Sequence, residues 1–331
     1  MSKFSSALIG CGMIGSRFSD DPRIKGIYSH AGAYDVSSNV TLGSLCDTDK
    51  VALSECARHW GIENTYSDVA ELLEKEKPEI VSICTPDETH AAIFRRILDA
   101  ESIRGVLIEK PIGLDVQEVR DLITMAAERG VVLAVNYSRR YSAGFDRARQ
   151  LIKNGGIGEI QLVSGYYTKG VLHNGTHWFD LARYLVGAID TVRAAGRQSG
   201  AVKDPTLDVQ LKFASGAEGV LYGCSDDQFS IFEMDILGSK GRVRILDSGH
   251  KIEESIVEES KFYSGYNSLS IKDSWDGEIN TAMVCAIENL VECVSHGGVP
   301  RCSGYDGLEA LKIGVGAIKS WKTCVPVTLG D

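Results

Sequence analysis

Gly10-Cys11-Gly12-Met13-Ile14-Gly15 stands directly behind the apolar run Ala7-Leu8-Ile9 and ahead of a helix-like stretch. Glycines at that spacing do three separate things. The first allows a tight turn after a strand. The second lets the backbone come close to a pyrophosphate, and the third lets the next helix pack against the strand. Free N–H groups and the dipole at the start of that helix favour an anion. The spacing alone is weak evidence. Its place at the first strand–helix turn of an alternating pattern is the context that gives it meaning.

That pattern fills the first 135 residues. Short β-rich runs lie at 4–9, 40–46, 80–84, 104–108 and 131–135. Helix-like stretches lie between them, at about 12–20, 50–60, 67–76, 88–100 and 115–129. The 17–39 stretch is long for a crossover and is expected to carry a loop at 29–34. Strand and helix alternating in this way call for a parallel sheet with helices on both faces, a doubly wound Rossmann domain over 1–135.

Beyond residue 136 the rhythm changes. A helix is expected at about 143–154, then strands at 159–168, 189–198, 206–214, 217–224, 230–237 and 242–247. A helix at about 176–186 interrupts them, and helices at about 278–296 and 306–322 close the chain. Turn signals at Ser215-Gly216 and at 238–241 favour antiparallel neighbours. Residues 136–331 therefore form an α+β domain with a large, open-faced, mostly antiparallel sheet, and helix 306–322 is expected to pack back on the first domain. A cleft between the two is the expected ligand site.

Composition narrows the function. With 35 Lys+Arg against 45 Asp+Glu the net charge is −10, a field that repels nucleic-acid backbones. No apolar run approaches the ~20 residues of a membrane span. The first ten residues do not form a signal peptide, so a cytoplasmic protein is expected. Nine scattered cysteines, none in a CxxC pair, fit small buried residues in a reducing compartment, and no metal site is expected. His173 and His177 have the spacing of a metal pair, but no acid or thiol completes it. Asp47 ends the second strand, where a carboxylate accepts both ribose hydroxyls and repels a 2′-phosphate. Thr48-Asp49-Lys50 follows without an arginine, which favours NAD over NADP.

Five further motifs carry a resemblance. Thr85-Pro86 follows the third strand with His90 behind it, and Glu109-Lys110-Pro111 follows the fourth. Asn136-Tyr137 with Arg139-Arg140, the stretch Gly175 to Asp180, and Ser303 to Asp306 complete the order. With the glycine turn, this resembles the Gfo/Idh/MocA dehydrogenases over nearly the whole chain. The resemblance implies that Gly10, Gly12, Met13, Ile14, Gly15, Asp47, Thr85, Pro86, His90, Glu109 and Lys110 bind NAD. It implies a cis bond before Pro111, with Lys110 beside the nicotinamide and the reacting carbinol. It also implies a catalytic His177. A partly desolvated lysine near a cationic ring loses proton affinity and becomes usable as acid or base.

One position departs from the family. Many members carry an aspartate four residues before the histidine, and this chain has His173 there. A carboxylate would raise the proton affinity of His177 and a neutral histidine would not. Lys110 and His177 then share the proton, with His173 or Asn174 on substrate oxygens. Asp180 either orients His177, caps the helix or pairs with Arg183. Lys169, Arg139 and Arg140 offer cations to a carboxylate or a pyrophosphate, or are paired with the excess acids. The run from Tyr166 to His177 is similar to members of surface-polysaccharide sugar metabolism. The expected activity is hydride transfer between NAD and a hydroxyl or ketone carbon of a sugar or nucleotide-sugar. The alternatives are a cyclitol or free-sugar dehydrogenase, and a non-catalytic NAD-binding sensor or scaffold. A homodimer or homotetramer through the open sheet is expected, because so broad an apolar face is an aggregation hazard if left bare.

Overall fold

The computed structural model describes residues 3–196 and 203–330. Its contacts divide the chain into two units, Met1–Tyr141 with Asn280–Leu308, and Ser142–Ile279 with Glu309–Asp331. The first unit holds strands β1 (Phe4–Ile9), β2 (Val40–Cys46), β3 (Asn64–Tyr66), β4 (Ile80–Ile83), β5 (Gly105–Ile108) and β6 (Val132–Val135). They pair in parallel in the order β3-β2-β1-β4-β5-β6. β4 and β5 are buried at every residue, as strands covered on both faces must be. The order reverses between β1 and β4, and the carboxyl ends of such neighbours are where doubly wound sheets take ligands.

The helices between these strands are α1 (His30–Val36), α2 (Lys50–Trp60), α3 (Val69–Glu76), α4 (His90–Leu98) and α5 (Val116–Glu128). Asp49, Asp68 and Asp115 cap α2, α3 and α5 by accepting backbone N–H groups of their first turns. The first crossover corrects the sequence expectation. Residues 12–20 form turns and a short 3-10 segment, Arg17–Asp20, and the helix lies at 30–36 where a loop was expected. The hydrogen bonds give the reason. In an unbroken helix Ile14 O would accept from Phe18, but it accepts from His30 N at 3.0 Å, and Gly15 O accepts from Ala31 N at 2.9 Å. The helix begins at the glycine turn, is interrupted by an excursion, and resumes at His30. Ser29 caps the resumed part through Gly32 N at 3.0 Å.

Segment 280–308 belongs with the first unit and not with the second, unlike a division at 135/136. Gly105 explains part of this. A Cβ there would stand 2.7 Å from Val294 and 3.1 Å from Leu290, so the glycine lets α8 (Ala282–His296) lie against the sheet. Helix α9 (Gly304–Thr323) starts in the first unit and continues in the second.

The second unit holds α6 (Ala143–Lys153), β7 (Ile160–Tyr167), α7 (Gly175–Leu185), β8 (Ile189–Gly196), β9 (Leu207–Phe213), β10 (Glu218–Gly223), β11 (Phe232–Gly238), β12 (Gly241–Leu246), β13 (Lys251–Glu259), β14 (Asn267–Asp276) and β15 (Val327–Thr328). The sheet order is β14-β13-β12-β11-β7-β10-β9-β8-β15, antiparallel except for β7 with β10. Residues 197 and 198 of the expected strand 189–198 lie outside the described residues. Strands β13 and β14 were not anticipated. Their polar sequence hides them, because Glu253 and Glu254 are buried as ion pairs to Arg244, Lys251 and Lys272. Gly165 on β7 leaves room for Trp178 of α7, whose Nε1 donates to Glu233 O at 3.1 Å. That contact seats α7 on the sheet. No described helix is long and apolar enough to cross a membrane.

Candidate active site

The glycine turn closes on the carboxyl end of the first sheet. Gly10 has φ +98°, and a Cβ there would lie 2.5 Å from the carbonyl of Cys84. A Cβ on Gly15 would lie 2.1 Å from Gly10 O, so only glycine permits the approach of turn and helix start. Gly12 differs. A Cβ there would meet nothing within 4 Å, so its backbone borders open space. Met13 is exposed beside it, and Ile14 packs inward on the cluster of Leu8, Ala31 and Leu45. Asp47, behind β2, accepts Cys11 N at 2.7 Å through Oδ2 and Asp49 N at 2.8 Å through Oδ1. Each oxygen keeps a second lone pair for a ribose hydroxyl. A cradle open at the middle glycine, with a carboxylate fixed at its flank, fits the pyrophosphate and ribose of a dinucleotide.

The next two strand ends add the second group of residues. Thr85 and Pro86 follow β4, and Thr89 Oγ1 bonds both Thr85 Oγ1 (2.8 Å) and Pro86 O (2.7 Å). His90 is fully buried between two carbonyls, Pro111 O at 2.6 Å and Thr85 O at 2.7 Å, and so ties this turn to the one after β5. The Lys110–Pro111 bond in that turn is cis. Glu109 and Lys110 are each only 7% exposed, and charged residues are rarely buried so deeply without a partner or a task.

Glu109 Oε1 receives His30 Nε2 at 3.0 Å and the amide of Asn136. Burial pushes the carboxyl upward, but the hydrogen bond from His30, the charge of Lys110 and the Asn136 amide outweigh it and hold it below its ordinary value. Asn136 Oδ1 is buried without a hydrogen-bond partner, an acceptor suited to the carboxamide of a nicotinamide. Arg139 and Arg140 lie on the turn Ser138–Tyr141. Arg140 is buried and paired with Asp306 at 3.0 Å, so part of its charge is already answered within the unit.

The remaining expected residues share one stretch of the second unit. Lys169 is exposed at φ +67° and leads into a π-turn, Gly170–Asn174, that runs into α7. Asp204 holds this turn, accepting Leu172 N at 2.8 Å and His173 N at 2.9 Å. His173 is exposed, Asn174 and His177 are half-buried, and Asp180 is buried. Among the described residues no cluster of three or more His, Cys, Asp or Glu is placed to hold a metal ion. The first unit thus gathers the glycine turn, Asp47, Thr85, Glu109 and Lys110 at one sheet edge, and the second gathers Lys169, His173, Asn174 and His177 on one turn and helix start. Sequence reasoning missed His30, Ser82, Tyr34 and Asp204. Only His30 left a trace, a Ser–His pair where α1 resumes.

Comparison with known proteins agrees with this fold. A family model for the NAD-binding Rossmann fold of an oxidoreductase family matches residues 4–137, and its C-terminal alpha/beta companion matches 166–329. The myo-inositol 2-dehydrogenase of Thermotoga maritima is 25% identical over 320 residues, covering 88% of this chain and 92% of that protein. The scyllo-inositol 2-dehydrogenase (NAD(+)) of Bacillus subtilis is 26% identical, covering 86% and 87%. A solved oxidoreductase from Agrobacterium radiobacter, in complex with NAD+, L-tartaric acid and magnesium, shares the fold with a TM-score of 0.80 at 18% identity over 99% of both chains. Matched in both halves, the chain belongs to the Gfo/Idh/MocA family of oxidoreductases.

Proposed function

We propose that the protein is an NAD-dependent dehydrogenase that oxidises a ring hydroxyl of a sugar, a nucleotide-sugar or a related polyol, or reduces the matching ketone. The observation that carries this is Lys110, a buried lysine at the carboxyl edge of a parallel sheet, beside an anionic Glu109 and separated from the glycine cradle by β4 alone. NAD, when bound, supplies the hydride acceptor. Gly10, Gly12, Met13, Ile14 and Gly15 hold its pyrophosphate, and Asp47 its adenosine ribose. Thr85, Pro86, Glu109 and Asn136 border its nicotinamide end, with His90 bracing the two turns. Asp47 disfavours a 2′-phosphate, and the nearby Arg17 is already paired with Glu55 at 3.1 Å.

Lys110 takes the proton from the hydroxyl as hydride leaves the carbinol carbon. Buried beside Glu109, it is placed to accept that proton and later return it. We assign His177 a share in that proton, His173 and Asn174 to substrate oxygens, and Lys169, Arg139 and Arg140 to anionic groups of the substrate. A cyclitol substrate is the second reading, favoured by the inositol dehydrogenases among the relatives.

The test is NADH formation from NAD, and NADPH formation from NADP, across sugars, nucleotide-sugars and cyclitols. NAD-dependent turnover of a polyhydroxylated ring is expected. Intact NAD binding with no turnover would instead support a sensor, and turnover with NADP alone would reverse the cofactor assignment.

A further inference from the structure

Behind Glu109 runs a buried chain of hydrogen bonds drawn from three elements. His30 Nε2 is 3.0 Å from Glu109 Oε1, and His30 Nδ1 is 2.9 Å from Ser82 Oγ. Ser82 Oγ is 2.8 Å from the hydroxyl of Tyr34. His30 and Ser82 are fully buried and Tyr34 is 2% exposed. A carboxylate only accepts, so His30 Nε2 donates to it. In the arrangement with a neutral imidazole, Nδ1 accepts from the Ser82 hydroxyl, whose oxygen accepts from Tyr34. Each hydrogen has an acceptor, and removing any link strands a buried polar group. The other groups facing Glu109 are the Asn136 amide, the Lys110 ammonium and the thiol of Cys84 at the end of β4.

We infer that His30 is a positioning residue. Backed by Ser82 and Tyr34, it fixes the orientation of Glu109 and keeps it anionic, so that Lys110 gains and loses its proton against a constant charge. The consequence at Lys110 rests on the dehydrogenase reading. The action on Glu109 does not, and it can be measured without a substrate.

The probe is the side-chain carboxyl ¹³C shift of Glu109, assigned with Glu109→Gln and followed through an acid titration. Wild type is compared with His30→Gln, which keeps a donor toward Glu109, and with His30→Leu, which keeps none. The midpoint should rise by about one pH unit in His30→Leu, the scale of a lost hydrogen bond to the charged form, and by less in His30→Gln. Ser82→Ala leaves His30 in place and guards against a variant that fails to fold; its midpoint should also rise. Equal midpoints in all of these proteins overturn the inference.

With a substrate in hand, His30→Leu and Glu109→Gln should each lower kcat, and the double variant should fall no further than the worse single one. Losses that multiply mean that His30 acts apart from Glu109, and overturn its positioning role. A midpoint that moves as expected in a protein that turns over no substrate sinks the dehydrogenase reading and leaves the chain of bonds standing.

Discussion

Taking a carboxylate out of water costs free energy unless donors and cations replace the lost hydration. At Glu109 the replacement is His30, Asn136 and Lys110, and the net result is a carboxyl held below its ordinary value. A depressed folded value means that ionised Glu109 stabilises the protein above its unfolded value, ~4.3, and that this contribution disappears as pH falls through the folded value. Unfolding of wild type and Glu109→Gln should therefore show a gap in stability that is steady near neutral pH and closes below about pH 4. A gap that widens on acidification would contradict the assignment. The partners of Glu109 also mark where sequence reading stops. The glycines, Asp47 and Glu109-Lys110-Pro111 are legible because each acts at the end of its own strand. The contacts from His30 to Ser82 and Glu109 span 52 and 79 residues, and no local pattern records them.

The glycine turn separates folding from binding within a single element. Gly10→Ala puts a Cβ 2.5 Å from backbone at φ +98°, a strain on the order of 1–3 kcal/mol, and should lower Tm. Gly12→Ala puts a Cβ into open space, so Tm should hold while NADH affinity falls at least ~10-fold, the loss of a close approach of backbone to phosphate. Calorimetry and fluorescence titration check the two halves. A Gly12→Ala protein that binds NADH as wild type does would remove the pyrophosphate from this turn. Most strands of the first sheet were legible because buried parallel strands read as short apolar runs. The interrupted helix was not, since its hydrogen bonds resume at His30 after an excursion that carries the usual signs of a loop. Strands β13 and β14 escaped for the opposite reason, since the buried Glu253 and Glu254 of β13 look like surface charge until Arg244, Lys251 and Lys272 are placed against them.

At the scale of the whole molecule, the sheet of the second unit leaves apolar side chains bare. Leu162, Tyr166, Tyr222, Val257, Leu269 and Ile271 are between 40% and 58% exposed, and the rings of Tyr166 and Tyr222 stack at 6.1 Å. On β7 the alternate residues Val163 and Tyr167 are buried in the core with Trp178, so Leu162 and Tyr166 face the other way. We propose that a second copy covers this face. Light scattering should give a dimer or tetramer, and Tyr166→Lys with Tyr222→Lys should shift it toward monomer; a wild-type monomer would refute the proposal. Lys110 is the residue proposed to do the chemistry, in a chain whose proposed NAD site is built largely by other residues. Lys110→Met, with NADH affinity and turnover measured on the same preparation, is the most direct test. Affinity within a few-fold of wild type, with turnover reduced by about 10²–10⁴, the usual worth of a positioned acid or base, is the predicted result. Undiminished turnover in that variant would contradict it.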